Sequence, residues 1–421
     1  MTGQMPEPDP LPKLQDQLWL RCEATQRVMS LLEQAGFEAR VVGGAVRNAL
    51  LGKPVKDVDI ATTAQPKQVL ALAEEHSMKA IATGLAHGTV TVISGDTPYE
   101  ITTLRKDVST DGRHAVVAFT DDWVSDARRR DFTINAIYCD RRGVLFDPMN
   151  GYADIVHRQV RFVGDARQRI EEDYLRSLRF FRFFAEYGQG SPDRTAVNEI
   201  TSCRAGLQQL SGERIRQELL KILVAPRAVE MIQVMHEYGL LPYILPVVPR
   251  PNHFARLSGC HTHSSAILRL AALAICTEED CKRVSQRLKL SNSENDVLLH
   301  IAALRTPTQF SPSLELGRRW LYEHEAELYG ARVRFLQTSS YRQIADPVWT
   351  TLLELPENWQ PPTFPLSGRM AIDLGAEPGP AIGQLLAAIK TEWIDSDFNI
   401  TDRELHKRLT ERILIPHNNK S

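Results

Sequence analysis

At 421 residues with 43% hydrophobic content, the chain is too long for a single core and suits two or more domains. Its formal net charge is −2, so bulk charge announces no nucleic-acid partner, and any such site must be a local basic surface. No apolar run reaches transmembrane length, and Met1 to Lys13 is rich in Pro and acid rather than a basic-then-apolar leader, so the expectation is a cytoplasmic protein with no membrane contact.

Residues 1–17 are expected to form a flexible N-terminus. From Leu18 to Ala35 apolar residues recur at helical spacing, and Gly36 breaks the run before an extended Ala39-Arg40-Val41-Val42. Next come Gly43-Gly44-Ala45-Val46-Arg47-Asn48 and Lys56-Asp57-Val58-Asp59-Ile60-Ala61-Thr62. Asp57 and Asp59 point to one face of a strand, because side chains alternate with period 2. Mg²⁺ prefers a few carboxylate oxygens and completes its shell with water and phosphate, so this pair suits two such ions. The glycines let the backbone approach a triphosphate, and Arg47 offers a planar fork for phosphate. A lone DxD is usually a solvated surface pair; so close behind GGxVR, the metal reading is preferred.

Pro66 opens a helix through Glu75, while Gly88–Ile93 and Tyr99–Leu104 alternate as strands. After Ile170 strand signals vanish, and the remainder reads as helices with Pro-rich linkers at Thr306 to Pro312 and Leu355 to Pro365. The cysteines Cys22, Cys139, Cys203, Cys260, Cys276 and Cys281 are scattered, which argues for reduced thiols. Cys260, His261 and His263 with Cys276 and Cys281 have loose spacing, and no zinc is expected.

GGxVR followed by DxD resembles the polymerase-β-type nucleotidyltransferases, in particular the bacterial class II CCA-adding enzymes and their relatives the poly(A) polymerases, most strongly from about Glu38 to Gly188. That family usually writes GGxVRD; here the last position is Asn48, to which no role is assigned. The resemblance implies an α+β fold: a polymerase-β-like nucleotidyltransferase head with a mixed sheet (18–155), then an all-α neck (156–230), body (231–355) and RNA-binding tail (366–421). It implies a third acid on a neighbouring strand, which Glu100 supplies, so that Asp57, Asp59 and Glu100 would be catalytic and hold two Mg²⁺. Arg105–Phe119, with Asp107, Asp111, Gly112 and Arg113, looks like the family's mobile loop.

Arg128-Arg129-Arg130-Asp131-Phe132-Thr133-Ile134-Asn135-Ala136 resembles RRDFTxNA, which implies that Arg130 contacts the nucleotide triphosphate and that Asp131 braces it; Gly43, Gly44 and Arg47 of the GGxVR segment would position the triphosphate with Arg130. Glu171–Phe183 has helical character and resembles EDxxR, with Asp173 and Arg176 three apart on adjacent helical positions. A carboxylate only accepts and a guanidinium only donates. Cytosine and adenine each present an exocyclic amine beside an unprotonated ring nitrogen and satisfy the pair. Uracil and guanine set acceptor against acceptor, at about 1–3 kcal/mol for each buried group left unpaired. The bland alternative is an ordinary ion pair between the two. Arg179 and Arg182 continue the row and are candidates for nucleotide phosphate or RNA.

Ser211–Leu223 resembles the family's GER helix, and Leu374–Gly383 with Trp393 and Ile394 its last domain, which would touch the elbow and acceptor stem of tRNA through shape and phosphates. The function implied is addition of C, C and A from CTP and ATP to the 3′ end of tRNA. Poly(A) addition is the nearest rival, disfavoured by the lack of a strongly basic C-terminal extension. A non-catalytic RNA-binding protein and nucleotide transfer to a small molecule fit less well.

Overall fold

The structure is a computed structural model that describes residues 11–111, 114–304, 312–339 and 346–414, with the backbone alone for 107–111 and 114–117. The linker expected at Thr306 to Pro312 falls almost wholly outside the described residues, as do Gly112 and Arg113. Two compact units divide the chain: residues 1–249 with 286–289, and residues 250–285 with 290–421.

The first unit is built on a mixed seven-stranded sheet with strand order β3-β4-β5-β2-β1-β8-β9. Its strands are β1 Ala39–Val42, β2 Asp59–Thr62, β3 Lys79–Gly84, β4 Thr89–Ser94, β5 Thr97–Thr103, β8 Tyr138–Cys139 and β9 Leu145–Phe146. Only the β2–β5 pair is parallel. The helices Glu23–Gln34 and Pro66–Glu75 lie on the sheet, burying Val28, Met29 and Leu32 from one and Val69 and Ala73 from the other with Ile60, Val90, Val92 and Ile101. Pro66 starts its helix where a missing N–H costs nothing, and Gln65 and Gln68 form a capping box in front of it.

Three local expectations are corrected. The Leu18–Ala35 helix is two pieces, Leu18–Arg21 and Glu23–Gln34, because the Cys22 backbone is extended and its sulfur accepts from Thr25 N to cap the second. Residues 11–17 are tied down: Leu14 is buried and donates its N–H to Gly143 O at 2.9 Å. The loop expected at Arg105–Phe119 is a two-stranded ribbon, β6 Arg105–Asp111 with β7 His114–Phe119. Beyond β9 this unit is helical, as expected, with Ala166–Glu172, Leu175–Tyr187, Arg194–Ser202, Gly212–Val224 and Ala228–Glu237 as its main helices. Phe132, Phe162, Phe180 and Phe183 form an aromatic cluster that ties Leu175–Tyr187 to the sheet-bearing part.

Among its described residues the second unit contains helices and no strand. Trp349 and Tyr329 anchor one part, with Tyr329 donating to Leu352 O at 2.7 Å. Trp393, Ile389, Leu405 and Leu409 anchor the C-terminal part, with Tyr322, Phe364 and Phe398 packed around the indole. The linker expected at Leu355–Pro365 begins late, since the helix Pro347–Asn358 runs through Pro356. No described helix is long and apolar enough to cross a membrane.

Candidate active site

Asp59 opens β2 and lies directly opposite Glu100 in the parallel β2–β5 pair. Val58 and Ile60 are buried while Asp57 and Asp59 are exposed, so alternation sets both acids on one face, with Asp57 in the approach to the strand rather than inside it. Glu100 stands exposed between buried Tyr99 and Ile101, on the face it shares with its in-register neighbour. The Asp59 carboxyl is pushed up to about 6, first by desolvation and then by Glu100, against the pull of Arg130 and with a further push from Asp57. Among the described residues no three His, Cys, Asp or Glu side chains stand at the spacing of a closed metal cage. Mg²⁺ does not need one, because it keeps several waters and takes one or two carboxylates plus substrate phosphates.

Gly43 has φ 75° and ψ −120°, a conformation an L side chain resists, and starts the helix Gly44–Leu50. A Cβ on Gly43 would stand 4.0 Å from Arg130 Nη1, so the turn and this guanidinium face each other with no side chain between them. Arg130 is fixed from behind. Its Nε and Nη2 donate to Asp126 Oδ2 at 3.3 and 3.0 Å, and Nε also to Tyr138 Oη at 3.1 Å. Asp126 is 1% exposed and accepts in addition from Arg129 Nε at 2.8 Å and Tyr138 Oη at 2.8 Å. Burial would raise its carboxyl, but Arg130 and Arg129 hold it down at about 2. Arg130 Nη1 makes no hydrogen bond among the described residues and faces the glycine turn.

Asp131 therefore does not brace Arg130. Residues 126 and 130 are one helical turn apart and share a face, whereas 131 turns the other way. Asp131 accepts from Arg179 Nε and Nη2, Asn135 Nδ2 and Phe132 N. Arg47 also departs from expectation. It is 8% exposed and donates to Asn135 Oδ1 at 2.5 Å, to Asn48 Oδ1 at 3.0 Å and to Tyr187 Oη at 3.1 Å, with the Phe183 and Tyr187 rings 5.0 and 4.6 Å away. The fork expected to grip a triphosphate is occupied by protein. Asn48 in turn donates Nδ2 to Pro54 O at 3.1 Å, which an Asp could not do.

The helix expected over Glu171–Phe183 breaks at Asp173, whose backbone is extended between Ala166–Glu172 and Leu175–Tyr187. Tyr174 fills the break against Gly206, where an added Cβ would meet its ring at 2.1 Å. Asp173 Oδ1 accepts from Leu175 N at 3.1 Å, and Oδ2 from Arg214 Nη2 at 2.7 Å. Arg176 donates Nη1 to Glu172 at 2.6 Å and to Arg169 O at 3.0 Å, and Nη2 to Arg129 O at 3.2 Å. The two residues are thus held by different partners and do not pair with each other. Arg182 pairs with Glu218 at 2.7 Å, which lies 3.8 Å from Arg179.

Sequence reasoning missed Asp126, Tyr138, Asn135, Glu172 and Arg214 as supports of the site. Asp126 and Glu172 each precede their arginine by four residues, a legible helical pairing signal; Asn135 stood in the RRDFTxNA stretch with no role read for it, and Tyr138 gave no signal.

Residues 39–161 match the family described as Poly A polymerase head domain, and residues 192–250 match that described as Probable RNA and SrmB- binding site of polymerase A. The mitochondrial CCA tRNA nucleotidyltransferase 1 of Mus musculus is 36% identical over 392 residues, covering 91% of this chain and 89% of that protein. The chain belongs to the class II CCA-adding enzyme family. The CCA-adding enzyme of Streptococcus pneumoniae TIGR4 is 32% identical over 403 residues, 91% of this chain and 96% of that one. A crystal structure of Bacillus stearothermophilus CCA-adding enzyme in complex with CTP has the same fold, with TM-score 0.72 and 26% identity over 93% of this chain and 97% of that one. Within this family frame the acids and Arg130 fall in the matched head, whereas Asp173, Arg176, Arg179 and Arg182 lie between the two matched stretches.

Proposed function

We propose that this chain adds C, C and A in turn from CTP and ATP to the 3′ end of tRNA and releases pyrophosphate. The observation that carries the reading is the registration of Asp59 opposite Glu100, with Asp57 on the same face, in front of a glycine turn that faces Arg130. This anionic oxygen donor set fits Mg²⁺, and the Asp59 carboxyl, raised first by desolvation and then by Glu100, is one whose ionised form a cation would favour. Asp57, Asp59 and Glu100 would hold two ions, which when bound lower the pKa of the terminal 3′-hydroxyl and screen the leaving pyrophosphate.

The protein's own part is positioning. Arg130 Nη1 meets the triphosphate, and Asp126 with Tyr138 keeps that guanidinium from swinging away. Asp173 keeps one free lone pair on each oxygen after serving Leu175 and Arg214, and Arg176 keeps Nε–H and one Nη2 hydrogen after serving Glu172 and two carbonyls. Those remaining groups suit the amine and ring nitrogen of C or A and repel the carbonyl and N–H of U or G. Arg179 acts through Asp131, locking the base-reading helix to the head. The region 366–421 would meet the tRNA stem and elbow, and the cytoplasm is the proposed location.

Incubating the protein with tRNA lacking its terminal triplet tests this reading. CTP alone should add two residues, and both nucleotides together should complete CCA. ATP-only tailing of arbitrary RNA would instead favour poly(A) polymerase, which the CCA-adding relatives already make the weaker choice.

A further inference from the structure

A cleft of about 380 Å³ is lined by Arg47, Arg182 and Lys221 together with Phe183, Tyr187 and Val224. Its charge is lopsided. Arg47, although buried, donates only to neutral groups: Asn135, Asn48 and Tyr187. Asp131, the carboxylate that acts on it through space, is itself held by Arg179. Arg182 must share Glu218 with Arg179. Lys221 is exposed and has no carboxylate within ion-pair reach among the described residues. Glu186, the acid on that wall, is paired with Lys53 at 2.7 Å. Both guanidiniums respond: burial and then neighbouring cations push Arg47 and Arg182 below the usual arginine range.

Buried cations ordinarily sit beside an anion, since an uncompensated one is costly. Asn48 is the reason this one does not. The motif it resembles carries Asp at this place, and a carboxylate there would stand about 3.0 Å from Arg47 Nη2 and cancel its charge. Asn48 reproduces the acceptor without the charge and turns its amide to Pro54 O. The cleft therefore carries one more positive charge than the motif's usual form would leave it.

We propose that this cleft binds a phosphodiester of the RNA strand being extended, at a subsite separate from the triphosphate position at Gly43 and Arg130. The inference rests on the reading of the chain as an RNA-extending enzyme. A phosphate group supplies the anion that Arg47 and Lys221 lack and that Arg182 has only in the Glu218 it shares with Arg179, and the apolar rim of Val224 and Ala225 accommodates the adjoining ribose.

The test is binding of a tRNA transcript lacking CCA, read by fluorescence anisotropy without nucleotide at 50 to 200 mM salt. Lys221→Glu should weaken RNA about tenfold and lower the log-affinity against log-salt slope by about 1, with CTP affinity unchanged. Lys221→Arg should retain RNA binding, and Asn48→Asp should weaken it in the same direction as Lys221→Glu. RNA affinity and slope unchanged in Lys221→Glu would overturn the proposal. So would a parallel loss of CTP affinity, which would assign the cleft to the nucleotide, or a loss confined to inorganic pyrophosphate, which would assign it to the product. Because binding is read rather than turnover, a protein that binds RNA through Lys221 yet adds no CCA would sink the proposed function and leave this subsite standing.

Discussion

Asp131 accepts two hydrogen bonds from Arg179, at 2.8 Å from Nε and 2.5 Å from Nη2. Its other oxygen takes Asn135 Nδ2 at 3.0 Å, and Asn135 Oδ1 takes Arg47 at 2.5 Å. A continuous row thus runs from the helix behind the glycine turn to the helix that carries Arg176. The proposed phosphate and base ends of the site would thus be set by one network.

Replacing Asp131 with Asn keeps the shape of that junction and removes its charge, leaving Arg179 with Glu218 at 3.8 Å. Loss of one partner of a buried pair costs about 3 kcal/mol. The Asp131 carboxyl is held below its usual range against burial, first by Arg179. The stability it contributes is therefore present above the unfolded carboxylate pKa and is lost as pH falls through the lower folded value. Urea unfolding should show a large deficit for Asp131→Asn at pH 7 that narrows in acid.

Asp126→Asn leaves Arg129 and Arg130 with neutral partners only. Arg130 should then sample other rotamers, raising the KM for CTP and ATP about 10- to 100-fold, with a smaller change in kcat. Tyr138→Phe removes one of the two groups on Arg130 Nε and should shift KM in the same direction by less. Steady-state kinetics at saturating tRNA separates these effects, and an unchanged KM in Asp126→Asn would contradict the bracing role.

Asp59 has a folded pKa of about 6, above its ordinary 3.8, so its negative charge works against folding. That cost is absent below the unfolded pKa and reaches its full size above about 6. In chelator, Asp59→Asn should match the native chain at pH 3.5 and be the more stable of the two at pH 8. Mg²⁺ affinity of the native chain should fall as pH drops through about 6, since the protonated acid is a poor ligand. Equal urea midpoints at pH 8 would contradict the cost of desolvating Asp59 beside Glu100.

Gly206→Ala would drive a Cβ to 2.1 Å from the Tyr174 ring, and both belong to packed segments. Overpacking of this kind costs about 1–3 kcal/mol. Because Tyr174 adjoins Asp173, misincorporation of UTP should rise as thermal stability falls. Lost stability with intact selectivity would separate Tyr174 from base reading.

Much of the site could be read from the chain because its signals are local. Alternation around Val58 and Ile60 set the faces of Asp57 and Asp59, and Glu100 was found between two apolar strand residues. What stayed hidden depends on partners distant in sequence. Arg47 looked free until Asn135 and Tyr187, 88 and 140 residues away, closed around it. Helical periodicity ran unbroken through Glu171–Phe183, and only the packing of Tyr174 on Gly206 reveals the break at Asp173. The ribbon β6–β7 escaped notice because its polar and charged strand lies outside the main sheet and lacks an apolar alternation.

In the proposed function, side chains take the place of a template in choosing the base. That claim is tested most directly by the ratio of CTP to UTP incorporation onto tRNA lacking CCA, compared between the native chain and Asp173→Ala with Arg176→Ala. Loss of two buried matches of about 1–3 kcal/mol each predicts a collapse of that ratio by at least about 30-fold. A ratio unchanged in the doubly substituted protein would contradict the claim.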